Sequence, residues 1–123
     1  MSIRVVTWGT GNVGCYAVRA VINHPELELV GHIVSSAEKA GKDVAELTGL
    51  DAPAGVLATD DIDAALALAP DCVVYTAHSE TRMMEAAKDQ ERCLRAGINV
   101  VSSSLFMLQQ PDSPDIAFLA DPM

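Results

Sequence analysis

The chain has 123 residues, half of them hydrophobic and only 4% aromatic, and carries a formal charge of −9. That length holds one core and one domain, and the acidity argues against nucleic acid or an anionic membrane as a partner. No apolar run reaches the roughly 20 residues that span a bilayer, no secretory signal opens the chain, and Cys15, Cys72 and Cys93 form no C-x-x-C pair, so a cytoplasmic protein with reduced thiols is expected.

Residues 3–8 (IRVVTW) are a short, β-branched apolar run, which predicts a strand buried on both faces. Gly9, Thr10, Gly11, Asn12, Val13 and Gly14 follow directly, and a helical pattern then begins. Strand, G-x-G-x-x-G, helix is the context in which this motif cradles a dinucleotide. Gly9 turns the chain off the strand, Gly11 leaves room for a pyrophosphate, and Gly14 lets helix and strand pack closely. The helix tip offers free N–H groups and a partial positive charge to the phosphates. The competing reading of the loop is a structural turn.

Val13, Ala17, Ala20 and Val21 recur at helical spacing over residues 12–23, and His24-Pro25 stops that helix. Residues 27–34 (LELVGHIV) predict the second strand, at right-handed crossover distance from the first. Residues 35–54 are polar and looped, with a short helix at 43–48. Val56, Leu57 and Ala58 suit a short third strand at an edge. Asp60 is placed to cap the next helix, whose inward face is Ile62, Leu66 and Ala69, and Pro70 ends it.

Residues 71–76 (DCVVYT) predict a fourth strand. A long helix begins at Ser79 or Glu80 and runs through Met83, Ala87, Cys93 and Leu94, with Gly97 at its C-cap. Met83 and Met84 are expected to fill core. Residues 98–101 (INVV) make the fifth strand. The alternation gives an α/β fold, a doubly wound parallel sheet of Rossmann type with strand order 3-2-1-4-5. Beyond Val101 the pattern deteriorates, and no sequence remains for a sixth strand. The expectation is a dinucleotide-binding domain over 1–104, then an apolar segment, Leu105 to Leu108, and an irregular tail to 123.

GTGNVG, ELVGHIVSSAEKAGKDVAELTGL, GVLATDDIDAALALAPDCVVYTA and CLRAGINVVSS together resemble the N-terminal domain of dihydrodipicolinate reductase-like proteins. The branch they resemble most contains 2,4-diaminopentanoate dehydrogenase and the NAD(P)-dependent amine dehydrogenases. The resemblance covers about residues 3–103. It implies an NAD(P)H-dependent oxidoreductase acting on a C=N or C–N bond, with a second domain that binds substrate. This chain has no room for that domain, nor the histidine- and lysine-containing substrate motif of the true reductases. It has Asn12 where they commonly carry arginine. The active-site glutamate attributed to the amine dehydrogenases has no match after Val101.

The end of the second strand selects the cofactor, because an acidic residue there would hold the ribose 2′-OH of NAD. Ser35 and Ser36 stand at that point instead, with Lys39 and Lys42 near enough to neutralise a 2′-phosphate and Glu38 opposing them. NADP is favoured over NAD. Thr76, Ala77 and His78 at one strand end, and Ser102 and Ser103 at another, are expected to face the same crevice. His78 is the catalytic candidate, as a general acid, while His24 and His32 are read as structural. No metal spacing is present.

Two further readings compete with an oxidoreductase half that needs a separate substrate domain. One is a module that binds or senses NAD(P) without turnover. The other is an adenosylmethionine-dependent methyltransferase, against which Ser35 counts, since that class wants a carboxylate there. Self-association, or a partner chain, through Leu105 to Leu108 is also expected from their exposure.

Overall fold

In the computed structural model, which describes residues 2–77 and 83–103, β1 (Ile3–Trp8) lies at the centre of a five-stranded sheet of order β3-β2-β1-β4-β5. Its neighbours are β2 (Leu27–Ile33) and β4 (Cys72–Tyr75), flanked by β3 (Ala58–Thr59) and β5 (Asn99–Ser102). All four pairings are parallel. Val5, Val6, Thr7 and Trp8 are buried in succession, so both faces of β1 are covered, as a central parallel strand requires. The expected strand order and fold class are those observed.

On one face, Val6, Trp8, Ile33, Val73 and Tyr75 pack with Ala65 of α3 (Ile62–Leu66) and with Ala86 and Cys93 of α4 (Met83–Arg95). Val5 and Thr7 point the other way, where α1 (Asn12–Asn23) lies on β1 and β2 and meets α2 (Val44–Thr48). The β1–β2 ladder is not continuous. Val5 pairs with Leu29 but Val6 pairs with Gly31, so Val30 is an extra residue in β2.

The helix limits follow local chemistry. α1 stops at His24, which is extended as a residue before proline must be. Asp43 caps α2, its carboxylate accepting from the N–H groups of Ala45, Ala54 and Gly55. Those bonds, Ala45 first, hold its carboxyl below the ordinary value. Arg19 of α1 donates from Nε and Nη2 to the Thr48 carbonyl, at 2.9 and 2.5 Å, and fastens the two helices. Gly97 has φ +78 just past α4, the left-handed turn expected there.

Four local expectations differ. The third strand is Ala58–Thr59 rather than 56–58, because Val56 and Leu57 instead answer the α2 segment: Val44 N–H bonds Val56 O, and Leu57 bridges Asp43. The cap of α3 is Asp61, whose side chain accepts from Ala64 N–H, and Asp60 lies outside. Ala69 is not on the inward face. α3 ends at Leu66, and Ala69 is exposed with φ +53 in the turn before Pro70. Met84 is 49% exposed, and the buried side of α4 is Ala86, Ala87, Gln90 and Cys93. The start of the helix at residues 79–80, the Met83 side chain and Leu105 to Leu108 lie outside the described residues.

Candidate functional site

Parallel strands send their carboxyl ends to one edge of the sheet, and the crevice there opens where the connections diverge to the two faces. β1 and β2 diverge from β4 at that edge, and a cleft of about 390 Å³ lies against the glycine loop. Gly9 leaves β1 with φ +112 and donates its N–H to Ile33 O at 3.0 Å. A Cβ on Gly9 would stand 2.8 Å from Ala77 N, and one on Gly14 would overlap the Gly9 carbonyl. Both glycines are thus demanded by the fold.

Gly11 is different. Its φ of −68 and ψ of −172 are open to any residue, and a Cβ there would meet nothing within 4 Å. Among the described residues, neither packing nor backbone strain requires glycine at this position. Gly11 is also the N-cap of α1, and no side chain caps that helix. The first-turn N–H groups, which have no intrahelical acceptor, therefore remain available beside the open backbone. This pairing fits a diphosphate.

Of the residues expected at the site, Gly9, Thr10, Gly11, Asn12 and Val13 line the cleft, with Ser35, Ser36 and Lys39 across from them and Thr76 and Ala77 along one side. Gly14 is buried behind the loop, against Gly9 and the Thr76 hydroxyl. Ser102 ends β5, Ser103 follows it, and neither is part of the lining; the Ser103 N–H bonds Tyr75 O. Lys42 and Glu38 are exposed and also stand outside it. His78 falls outside the described residues. The structure adds Trp8, Ile33 and Val34 to the lining. They read in sequence as buried strand residues, and their position at strand ends beside the motif was the available signal.

Lys39 carries the one charge among the described lining residues, and none of those residues is a carboxylate. Its Nζ donates to Thr10 Oγ1 at 2.9 Å, joining the loop after β2 to the glycine loop. Beneath them His32 is fully buried, with Nδ1 2.6 Å from Thr7 Oγ1 and Nε2 unpartnered among the described residues. Burial, and secondarily the Lys39 charge, push its pKa down to about 4, so the ring is neutral at pH 7. This is the structural role expected of it. His24 likewise acts locally, its Nδ1 accepting from Glu26 N–H.

Among the described residues no group of histidine, cysteine and carboxylate side chains could hold a metal, and no helix is long and apolar enough to cross a membrane. Cys15 and Cys72 are half-buried and Cys93 is buried, all as free thiols.

Residues 3–104 match the family described as dihydrodipicolinate reductase, N-terminus. An amine dehydrogenase of Streptomyces virginiae is 50% identical over 106 residues, which are 86% of this chain and 29% of that protein. The structure of amine dehydrogenase from Mycobacterium smegmatis superposes with a TM-score of 0.85 at 30% identity, over 99% of this chain and 36% of that one. A dipicolinate-bound dihydrodipicolinate reductase from Paenisporosarcina sp. TG-14 shares the fold, with a TM-score of 0.64 at 23% identity over 98% of this chain and 43% of the other. The chain thus spans about a third of the length of the two amine dehydrogenases.

Proposed function

The chain belongs to the dihydrodipicolinate reductase family as its N-terminal, nucleotide-binding domain, and on that premise we propose that it is the cofactor half of an oxidoreductase acting at a C=N or C–N bond. The observation that carries the cofactor reading is Gly11: a glycine the fold does not need, at an uncapped helix N-terminus, on an open cleft. The bond type rests on the kinship with amine dehydrogenases and with the reductases.

In this reading a bound dinucleotide supplies or takes up the hydride. The protein's part is to hold it: α1 N–H groups on the diphosphate, Trp8 and Ile33 as apolar floor, Thr76 and Ala77 along the wall. NADP is preferred to NAD. The cleft presents the Lys39 ammonium with Ser35 and Ser36, and among its described lining residues no carboxylate that would repel a 2′-phosphate. Substrate is bound by a separate domain or chain, reached through Leu105 to Leu108, and His78 is retained as a candidate general acid. The setting is cytoplasmic and reducing, in keeping with three free thiols.

Calorimetric titration with NADP⁺ and NAD⁺, repeated on Gly11→Val, tests the first step. Micromolar or weaker affinity, stronger for NADP⁺ and abolished in the variant, is expected; unchanged binding in Gly11→Val would sink the reading. NADPH oxidation with imines, or with ketones and ammonia, then separates an enzyme from a module that only binds. Sedimentation of the full chain tests association through Leu105 to Leu108, and a strict monomer refutes self-association.

A further inference from the structure

Three side chains connect the floor of the cleft to the middle of α4. Trp8 closes β1 and lines the cleft while only 5% of it is exposed. It is in register with Tyr75 of β4, and the two rings pack with centroids 5.1 Å apart at 58°. Tyr75 is fully buried, and its hydroxyl donates to Asp89 Oδ2 at 2.7 Å. The Trp8 carbonyl accepts from Thr76 N–H and Thr76 Oγ1, at 2.9 and 3.2 Å, so the same residue also fixes the cleft's wall.

We infer that Asp89 is a positioning residue for the dinucleotide site, acting through Tyr75 on the Trp8 indole. The inference rests on the dinucleotide reading above. A buried phenol hydroxyl must keep a partner, because leaving it unpaired forfeits its hydration. A carboxylate acceptor makes that bond short and strong, which sets the tilt of the Tyr75 ring. A tilted aromatic pair has a preferred geometry, so a fixed Tyr75 leaves Trp8 one place to lie. Trp8 in turn is the one aromatic ring among the described residues that line this cleft. α4 is fixed to the sheet by its fully buried Ala86, Ala87 and Cys93, on either side of Asp89 in the chain. The acceptor therefore sits on an anchored helix.

Trp8 is the only tryptophan of the chain, so its fluorescence reports this line directly. The test titrates NADPH against Trp8 emission in the full chain and in Tyr75→Phe, Asp89→Ala, their double variant and Asp89→Asn. Each of the first two weakens binding roughly threefold to tenfold and shifts the ligand-free emission, and the double variant is no worse than either alone. Asp89→Asn, which keeps an acceptor oxygen, stays within about twofold of the parent. Lower thermal midpoints with unchanged affinity and emission would reduce the line to ordinary packing and overturn the inference, as would additive losses. Binding seen by calorimetry without a change in Trp8 emission would overturn this inference alone, whereas absence of calorimetric binding in the parent chain would overturn the dinucleotide reading and this inference with it.

Discussion

Lys39 and Thr10, 29 residues apart in the chain, are joined at 2.9 Å by a bond from the ammonium to the hydroxyl. The bond holds a mobile side chain at the mouth of the cleft, next to Ser35 and Ser36.

Replacing Lys39 by alanine is expected to lower the ratio of NADP⁺ to NAD⁺ affinity by about tenfold or more, the loss of one charge-assisted bond of about 1.5–3 kcal/mol. Affinity for NAD⁺ should change little. Parallel calorimetric titrations measure the ratio, and equal losses for both cofactors would remove Lys39 from 2′-phosphate recognition.

The glycines should separate into two classes. Gly14→Ala puts a methyl into the Gly9 carbonyl, and a loss of about 1–3 kcal/mol or more of stability is expected from such overpacking. In Gly11→Val the added Cβ meets nothing within 4 Å among the described residues, and the variant should lose at most about 1 kcal/mol, the cost of a poor N-cap. Urea unfolding of both variants, set beside their dinucleotide affinities, checks this. A Gly11→Val that unfolds as readily as Gly14→Ala would contradict the assignment.

His32 makes stability depend on pH. Its pKa falls from 6.5 to about 4 on folding, so between those values the unfolded chain binds the extra proton. Stability is fully present above pH 6.5, declines as pH drops, and levels below about 4. The whole interval is worth on the order of 3 kcal/mol. In His32→Gln the difference in unfolding free energy between pH 4.5 and 7.5 should shrink accordingly. An unaltered difference would show that the carboxylates alone set the acid limb.

Burial pushes the Cys93 thiol up to about 11, with Asp89 adding to the effect, and it also raises Cys72. Since the thiolate is the reactive form, Cys93 should escape iodoacetamide at pH 8 in the folded protein and react fully in urea. Peptide mass spectrometry reads the outcome, and rapid native labelling of Cys93 would mean that α4 opens readily.

The sequence carried most of this architecture because its signals were local. Three glycines at fixed spacing, a proline after His24 and the runs around Val5, Val30 and Val73 suffice to order the strands. Where two neighbouring residues could do one job, the pattern was mute: Asp60 and Asp61 are equivalent as caps until the chain's path decides. Met84 shows the limit of periodicity, since a helix whose buried side is two alanines, a glutamine and a cysteine leaves large apolar residues outside. In the site, the motif residues were legible, and those contributed by neighbouring strands were not. That Ile33 lines the cleft, or that Asp89 reaches Tyr75, depends on pairings between distant segments which no local pattern encodes.

Val30 is the one residue of β2 without a partner in β1. Were the bulge absent and Val30 paired with Val6, every later residue of β2 would shift one position along β1, and side chains that alternate would exchange faces. Trp8 would then stand beside an imidazole in place of Ile33, and Thr7 beside Gly31. Leaving Val30 out of the ladder keeps a polar ring away from the cleft's apolar bed and delivers it to the opposite layer, where a threonine waits for it.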